Sequence, residues 1–171
     1  MAAQSTIDDL DFSTLGLDTD QLADLVGERG ECVITWSTRE GHPVGVVVAY
    51  VFRDGRFWTT GAASRKRVSA LRARPWSSVI LNRNGLSATF KGASRIHGPE
   101  DDDWDDLKGW FLPALSGVDS SAKDPQEAAL VSYLDAPHQV IIETPAQLVV
   151  SFDFTRFGTA MAAAVGATAA P

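Results

Sequence analysis

Cysteine occurs once in this chain of 171 residues, at Cys32, so neither an internal disulfide nor a cysteine-based metal cluster can form. The flanking Glu31, Val33 and Ile34 read as the start of a buried strand, which makes Cys32 an inert core thiol. The three histidines, His42, His97 and His138, are scattered, and no HExxH-like spacing links them, so no metal site is expected. No GxGxxG, P-loop or Ser-His-Asp order is present, which argues against dinucleotide-fold binding and nucleophilic hydrolysis. No run approaches ~18 apolar residues, so a membrane-spanning helix is not expected. The first residues (MAAQSTIDDLDF) lack a basic stretch followed by an apolar one, so a cytoplasmic location is the default expectation. Positive charge is also short. Fifteen Lys and Arg face 22 Asp and Glu, a net charge of -7 that disfavours nucleic acid as a partner.

What remains is an ordinary globular composition, 44% hydrophobic and 22% charged, long enough to bury a core. Residues 1–18 read as an irregular lead-in, 19–157 as one domain, and 158–171, rich in Ala and Gly, as a flexible tail. A short amphipathic helix is expected over 18–28. Strands are expected over 32–37, 43–52, 56–60, 76–82, 86–97, 139–143 and 147–154, with tight hairpins at Asp54-Gly55 and Asn84-Gly85. Gly92 inside the fifth of these marks a bend or bulge. Helices are expected over 64–74, 100–115 and 125–134. The acidic run Glu100–Asp106 reads as a solvated helix start, because neighbouring carboxylates on a helix diverge too far to share an ion. Successive hairpins with inserted helices predict a mainly β fold: a six- to seven-stranded antiparallel barrel, Greek-key-like, with flanking helices.

The most informative segment is Arg56–Arg74, RFWTTGAASRKRVSALRAR. A strand ends at Gly61 and a Ser-Arg-Lys corner opens a helix. Ser64 is placed to cap that helix and offer a hydroxyl, and first-turn N–H groups and the macrodipole favour an anion there. Arg65 and Lys66 add a forked and a compact cation, with Arg67 a fourth candidate. This basic island in an acidic chain predicts phosphate binding. Val46, Val47 and Val48 supply a wall of branched residues suited to a flat ring. Lys91 is a candidate cation for charge developing on such a ring.

This order of parts (helix, hairpin, the WTTGAASRK corner, a helix ending at Pro75, a hairpin, then Phe90-Lys91-Gly92) resembles the pyridoxamine 5'-phosphate oxidase-like superfamily over about residues 20–155. The resemblance implies a split β-barrel that binds FMN, or an 8-hydroxy-5-deazaflavin cofactor, between the subunits of a homodimer. It places the phosphate-binding pair on Arg65 and Lys66, and the aromatic and threonine segment on Trp58, Thr59 and Thr60. Backbone groups of Gly45–Val48 would line the ring, and a polar position falls on Ser87. The end of the domain, Ser151–Gly158 (SFDFTRFG), lacks the His and paired Arg with which pyridoxamine-phosphate oxidases grip their substrate, so vitamin B6 oxidation is not expected. The function implied is hydride transfer to or from a small molecule, with no catalytic side chain required; the alternatives are a deazaflavin-dependent reductase, or a carrier of flavin or haem without turnover.

Overall fold

The structure, a computed structural model, describes residues 11–117 and 124–168. A 3-10 turn, Phe12–Leu15, leads into α1 (Thr19–Val26) and β1 (Arg29–Ser37). Then follow β2 (Pro43–Arg53), β3 (Arg56–Ala62), α2 (Lys66–Ala73), β4 (Trp76–Arg83), β5 (Leu86–Ala93) and β6 (Arg95–His97). The second half holds α3 (Trp104–Ser116), α4 (Pro125–Leu134), β7 (Gln139–Pro145), β8 (Leu148–Asp153) and α5 (Phe154–Thr168). The eight strands form one antiparallel sheet in the order β6-β7-β3-β2-β1-β4-β5-β8.

Two Asx-Gly pairs set the register of that sheet. Asp54 and Gly55 have φ of 54° and 72°, and Asn84 and Gly85 have 53° and 78°. Positive φ at both central residues gives the turn twist that matches paired strands, so β2–β3 and β4–β5 are tight hairpins. Alternate residues then point into the curled sheet: Ile34, Tyr50, Phe57, Val79, Phe90 and Ile142 are all buried. The Phe57 ring sits 5.3, 4.8 and 4.9 Å from those of Tyr50, Phe52 and Phe90. Helix α2 plugs one end, with Val68 and Leu71 against Ile34, Val140 and Ile142. Helix α3 covers the outer face, where Leu107 and Phe111 pack on Val51 and Ile141.

The strand count is eight, not six or seven. The expected strand over 86–97 breaks at Ser94, whose hydroxyl bonds those of Ser77 and Thr144 at 2.7 and 2.8 Å. Its N–H donates to the Pro75 carbonyl. Beyond this buried hydroxyl chain, β6 leaves β4 and pairs with β7 instead. Gly92 makes the crossing possible, because a Cβ there would overlap the Pro145 carbonyl.

Both ends of the described chain are more ordered in secondary structure than the sequence reading held. In the lead-in, Asp11 caps the 3-10 turn through the Ser13 N–H at 2.9 Å. The tail from 158 is helical to Thr168, since alanine-rich sequence favours helix once a cap starts it. That cap is Asp153, which accepts from the N–H groups of Thr155 and Arg156. Residues 1–10 and 169–171 lie outside the described part. Cys32 is 3% exposed, and burial pushes its thiol up to about 12, which fits an unreactive core residue. No helix among the described residues is long and apolar enough to cross a membrane.

A cleft where two strands part

Strands β2 and β3 pair only from Arg53↔Arg56 to Val51↔Trp58. Beyond that point each keeps its other neighbour: β2 stays on β1 as far as Pro43↔Ser37, and β3 stays on β7 as far as Ala62↔Gln139. Their facing edges therefore diverge without ladder partners in register. The gap is a cleft of about 630 Å3, walled by Val46–Val48 and Trp36 on one side and Thr60–Ala62 on the other. The corner Ser64–Arg67 belongs to this lining, together with Tyr133 at the end of α4 and Gln139 at the start of β7.

The corner turns on the Ala62 carbonyl, which accepts from the Arg65 N–H at 2.9 Å. The helix starts one residue later than the sequence reading implied. Arg65 is the N-cap with extended backbone, and no side chain caps the first turn. Ser64 is thus not the cap; it sits exposed in the turn, at the cleft mouth. The uncapped N–H groups of α2 are left for solvent or an anion. Arg65 and Lys66 are exposed beside them. Arg67 is half-buried, and its Nη2 donates to the Thr60 carbonyl at 2.7 Å. Burial first, then the charge of Arg65, holds the Arg67 guanidinium below its ordinary value. Among the described residues none of these three cations has an ion-pair partner, whereas Arg56, Arg72, Lys108 and Arg156 all do.

Of the residues singled out from sequence, Val46, Val47, Val48, Thr60, Ser64, Arg65 and Lys66 line the cleft together. The other four lie elsewhere. Trp58 points outward under α3, its ring 5.3 Å from Trp110 and 5.8 Å from His97. Thr59 is 1% exposed and faces the barrel interior. Ser87 and Lys91 lie on β5, across from Phe152 and Leu148 of β8, and away from this chain's own cleft. Arg72 pairs with Glu100 at 3.3 Å, and Arg74 donates to the Ser37 carbonyl, so the later helix arginines are also turned away. His97 is buried with its Nε2 2.8 Å from Glu143, which Arg56 also holds at 2.6 Å; this is a structural cluster. Sequence reading passed over Gln139 and Tyr133: the β3–β7 register sets Gln139 opposite Ala62, and Tyr133 comes in from the end of α4, both far along the chain from the corner. Among the described residues no group of three His, Cys, Asp or Glu is placed to hold a metal.

A curled antiparallel sheet split between β2 and β3, with a basic helix start at the split, defines a split β-barrel. Solved structures carry the same fold. A conserved hypothetical protein from Mycobacterium tuberculosis superposes with a TM-score of 0.67 at 17% identity, over 84% of this chain and 89% of that one. A pyridoxamine 5'-phosphate oxidase-related, FMN-binding protein from Nostoc punctiforme gives 0.56 at 9%, over 73% and 74%. An F420 reductase gives 0.53 at 13%, over 75% and 94%. No protein-family model matches the sequence. No curated protein matches it either. At these identities the likeness is one of fold.

Proposed function

We propose that the cleft binds FMN and that the protein is a flavin-dependent oxidoreductase. The observation that carries this reading is the corner: an uncapped helix start and, among the described residues, three cations without acidic partners, all in the lining of one cleft. A terminal phosphate satisfies all of them at once. The cleft volume lies within the roughly 300–1,000 Å3 of small-molecule sites. Its branched valine wall and facing strand edges suit a flat ring that is apolar on its faces and hydrogen-bonding at its rim. When bound, the flavin supplies hydride transfer. The chain's own residues hold the phosphate, orient the ring against β2 and keep water from its buried face.

The fold is shared with an FMN-binding protein and with an F420 reductase, so a deazaflavin is the natural rival. A deazaflavin with a long anionic tail wants an extended basic groove. Arg72 and Arg74 are the other arginines of α2 and its C-cap, and both are engaged elsewhere. The compact corner therefore favours FMN.

We also place the working unit as a homodimer. Leu148, Val150 and Phe154 are 57%, 60% and 51% exposed, an apolar patch on a sheet-edge strand and the helix after it. Directly paired residues share a face, so Lys91 lies beside Leu148 and Ser87 beside Phe152. A second copy covering this patch would bury Ser87 and Lys91 as well, and could set them against the first copy's cleft.

An absorbance spectrum of the purified protein and titration of the apoprotein with FMN test the reading. A bound flavin absorbs near ~450 nm. Arg65→Ala with Lys66→Ala should weaken FMN at least about 100-fold, since charge-assisted bonds contribute ~1.5–3 kcal/mol each. Unchanged affinity would remove the phosphate site. Bleaching by NAD(P)H, followed by reoxidation with an acceptor, separates an enzyme from a flavin or haem carrier.

A further inference from the structure

His97 is 2% exposed, and its two ring nitrogens face carboxylates on different elements. Nε2 lies 2.8 Å from Glu143 Oε2 on β7, and the other Glu143 oxygen is held by Arg56 Nε at 2.6 Å. An Arg-paired carboxylate only accepts, so Nε2 carries the proton that joins them. Nδ1 has no hydrogen-bond partner and lies 3.9 Å from Asp103 Oδ1. With Nδ1 bare, a buried lone pair faces a carboxylate, two acceptors with nothing to share. One proton on Nδ1 turns that opposition into an ion pair.

Asp103 also has a second partner within its own helix. It is the N-cap of α3, a position from which Asp accepts from the second or third helical N–H, here those of Asp105 and Asp106. Its side chain makes no such bond, and its φ of -92° and ψ of 6° fall short of the extended backbone usual for a capping residue. The preceding turn fixes it toward the sheet: the Asp101 N–H donates to the Gly98 carbonyl, and Asp101 Oδ2 accepts from the Gly98 N–H at 2.8 Å. Of the other charges around His97, Arg95 pairs with Asp101 at 3.6 Å and Arg72 of α2 with Glu100 at 3.3 Å. Asp102, Asp105 and Asp106 add negative charge to the same segment. We propose that His97 and Asp103 form a proton-operated latch. The imidazolium anchors the start of α3 to β6 and β7, and loss of the Nδ1 proton frees Asp103 to cap α3 instead. The helix stays folded in both states, and what changes is whether its first turn is tied to the sheet. The latch acts on the cover that α3 lays over Trp58 and is independent of the flavin reading.

NMR of the isotopically labelled full-length protein, without added ligand, tests it. The His97 ring is followed from pH 5 to 8, the range in which histidine changes charge, together with hydrogen exchange at the Asp105 and Asp106 amides. In the wild type, loss of the His97 proton should slow exchange at one of these amides about threefold against its intrinsic rate, because Asp103 then caps it. Asp103→Asn alters a side chain that is 55% exposed and keeps a capping residue in place. It should lower the proton affinity of His97 about threefold and make the amide protection independent of pH. Glu100→Gln, which removes the partner of Arg72, should leave the coupling of ring and amides intact. A wild-type ring that keeps one charge state across this range, or amides that ignore its titration, would overturn the latch. So would an Asp103→Asn protein whose His97 binds its proton as tightly as the wild type.

Discussion

Gly61 and Gly92 both lack a Cβ where one would collide, but the neighbours they meet differ in how far they can yield. At Gly92 the obstacle is the Pro145 carbonyl, backbone at the seam where β5 and β7 close the barrel. Gly92→Ala must push the seam apart, and overpacking against fixed backbone costs about 1–3 kcal/mol or more. Thermal denaturation should show a melting temperature lower by several degrees, with the loss felt throughout the cooperative unit. At Gly61 the obstacle is the end of the Arg67 side chain, which can swing away. Gly61→Ala should cost less stability, but it displaces the guanidinium from the Thr60 carbonyl and from the cleft floor. The expected signature is a split between the two variants: Gly92→Ala melts early, whereas Gly61→Ala melts near wild type and binds FMN at least several-fold more weakly. Sequence reading marked Gly92 as a bend and Gly61 as a strand end. What each glycine makes room for depends on residues about 50 and six positions away, and only the folded register shows it.

At the level of elements, what the sequence made legible was local chemistry. The two Asx-Gly hairpins, the Pro125 start of α4 and the Pro75 limit on α2 each follow from constraints within a few residues. The cap expected at Ser64 failed because the corner is tightened instead by the Ala62 carbonyl, which delays the helix by one turn position. The split of 86–97 into two strands was hidden because it depends on a hydroxyl chain joining Ser77, Ser94 and Thr144 across the barrel. Helix α5 was hidden for a similar reason, since its cap also ties it to α1. Asp153 Oδ1 accepts from the Thr155 and Arg156 N–H groups, and Oδ2 accepts from Gln21 Nε2 at 2.9 Å. The Arg156 N–H, then the Gln21 side chain and the Thr155 N–H, hold the Asp153 carboxyl below the usual carboxylate range against the opposing effect of burial. A carboxyl depressed in the folded state binds fewer protons there than in the unfolded state. Its stabilisation is complete above the unfolded value near ~3.9 and is lost as pH falls through the lower folded one. Asp153→Asn should therefore lower the wild-type melting temperature at pH 6–7 and narrow the gap to wild type as pH falls below about 4. A gap that stays constant into acid would mean the carboxylate contributes shape and not charge.

The whole molecule presents a cleft with cations but without the polar groups expected at the far side of a bound ring. Ser87 and Lys91 sit on β5, next to the edge strand β8, on the face they share with Phe152 and Leu148. One chain cannot bring the two halves together, because β1 and β4 stand between β2 and β5. A second copy can, if the apolar β8 edge is where it docks. This gives a test by complementation. A protein carrying Arg65→Ala and Lys66→Ala has no working corner, and Lys91→Ala has no distal cation. If each site draws on both chains, denaturing the two variants together and refolding the mixture yields heterodimers with one fully wild-type site. In that site the Lys91→Ala chain supplies the corner and its partner supplies Lys91. FMN titration of such a mixture should recover wild-type affinity at up to a quarter of the sites under random pairing, while neither parent recovers it at any. Val150→Glu on both chains buries a charge at the docking edge and should shift size-exclusion and light-scattering mass to the monomer, removing the recovered sites with it. A monomeric wild type, or a mixture that behaves as the average of its parents, would put Lys91 outside the site and leave the corner to act from one chain alone.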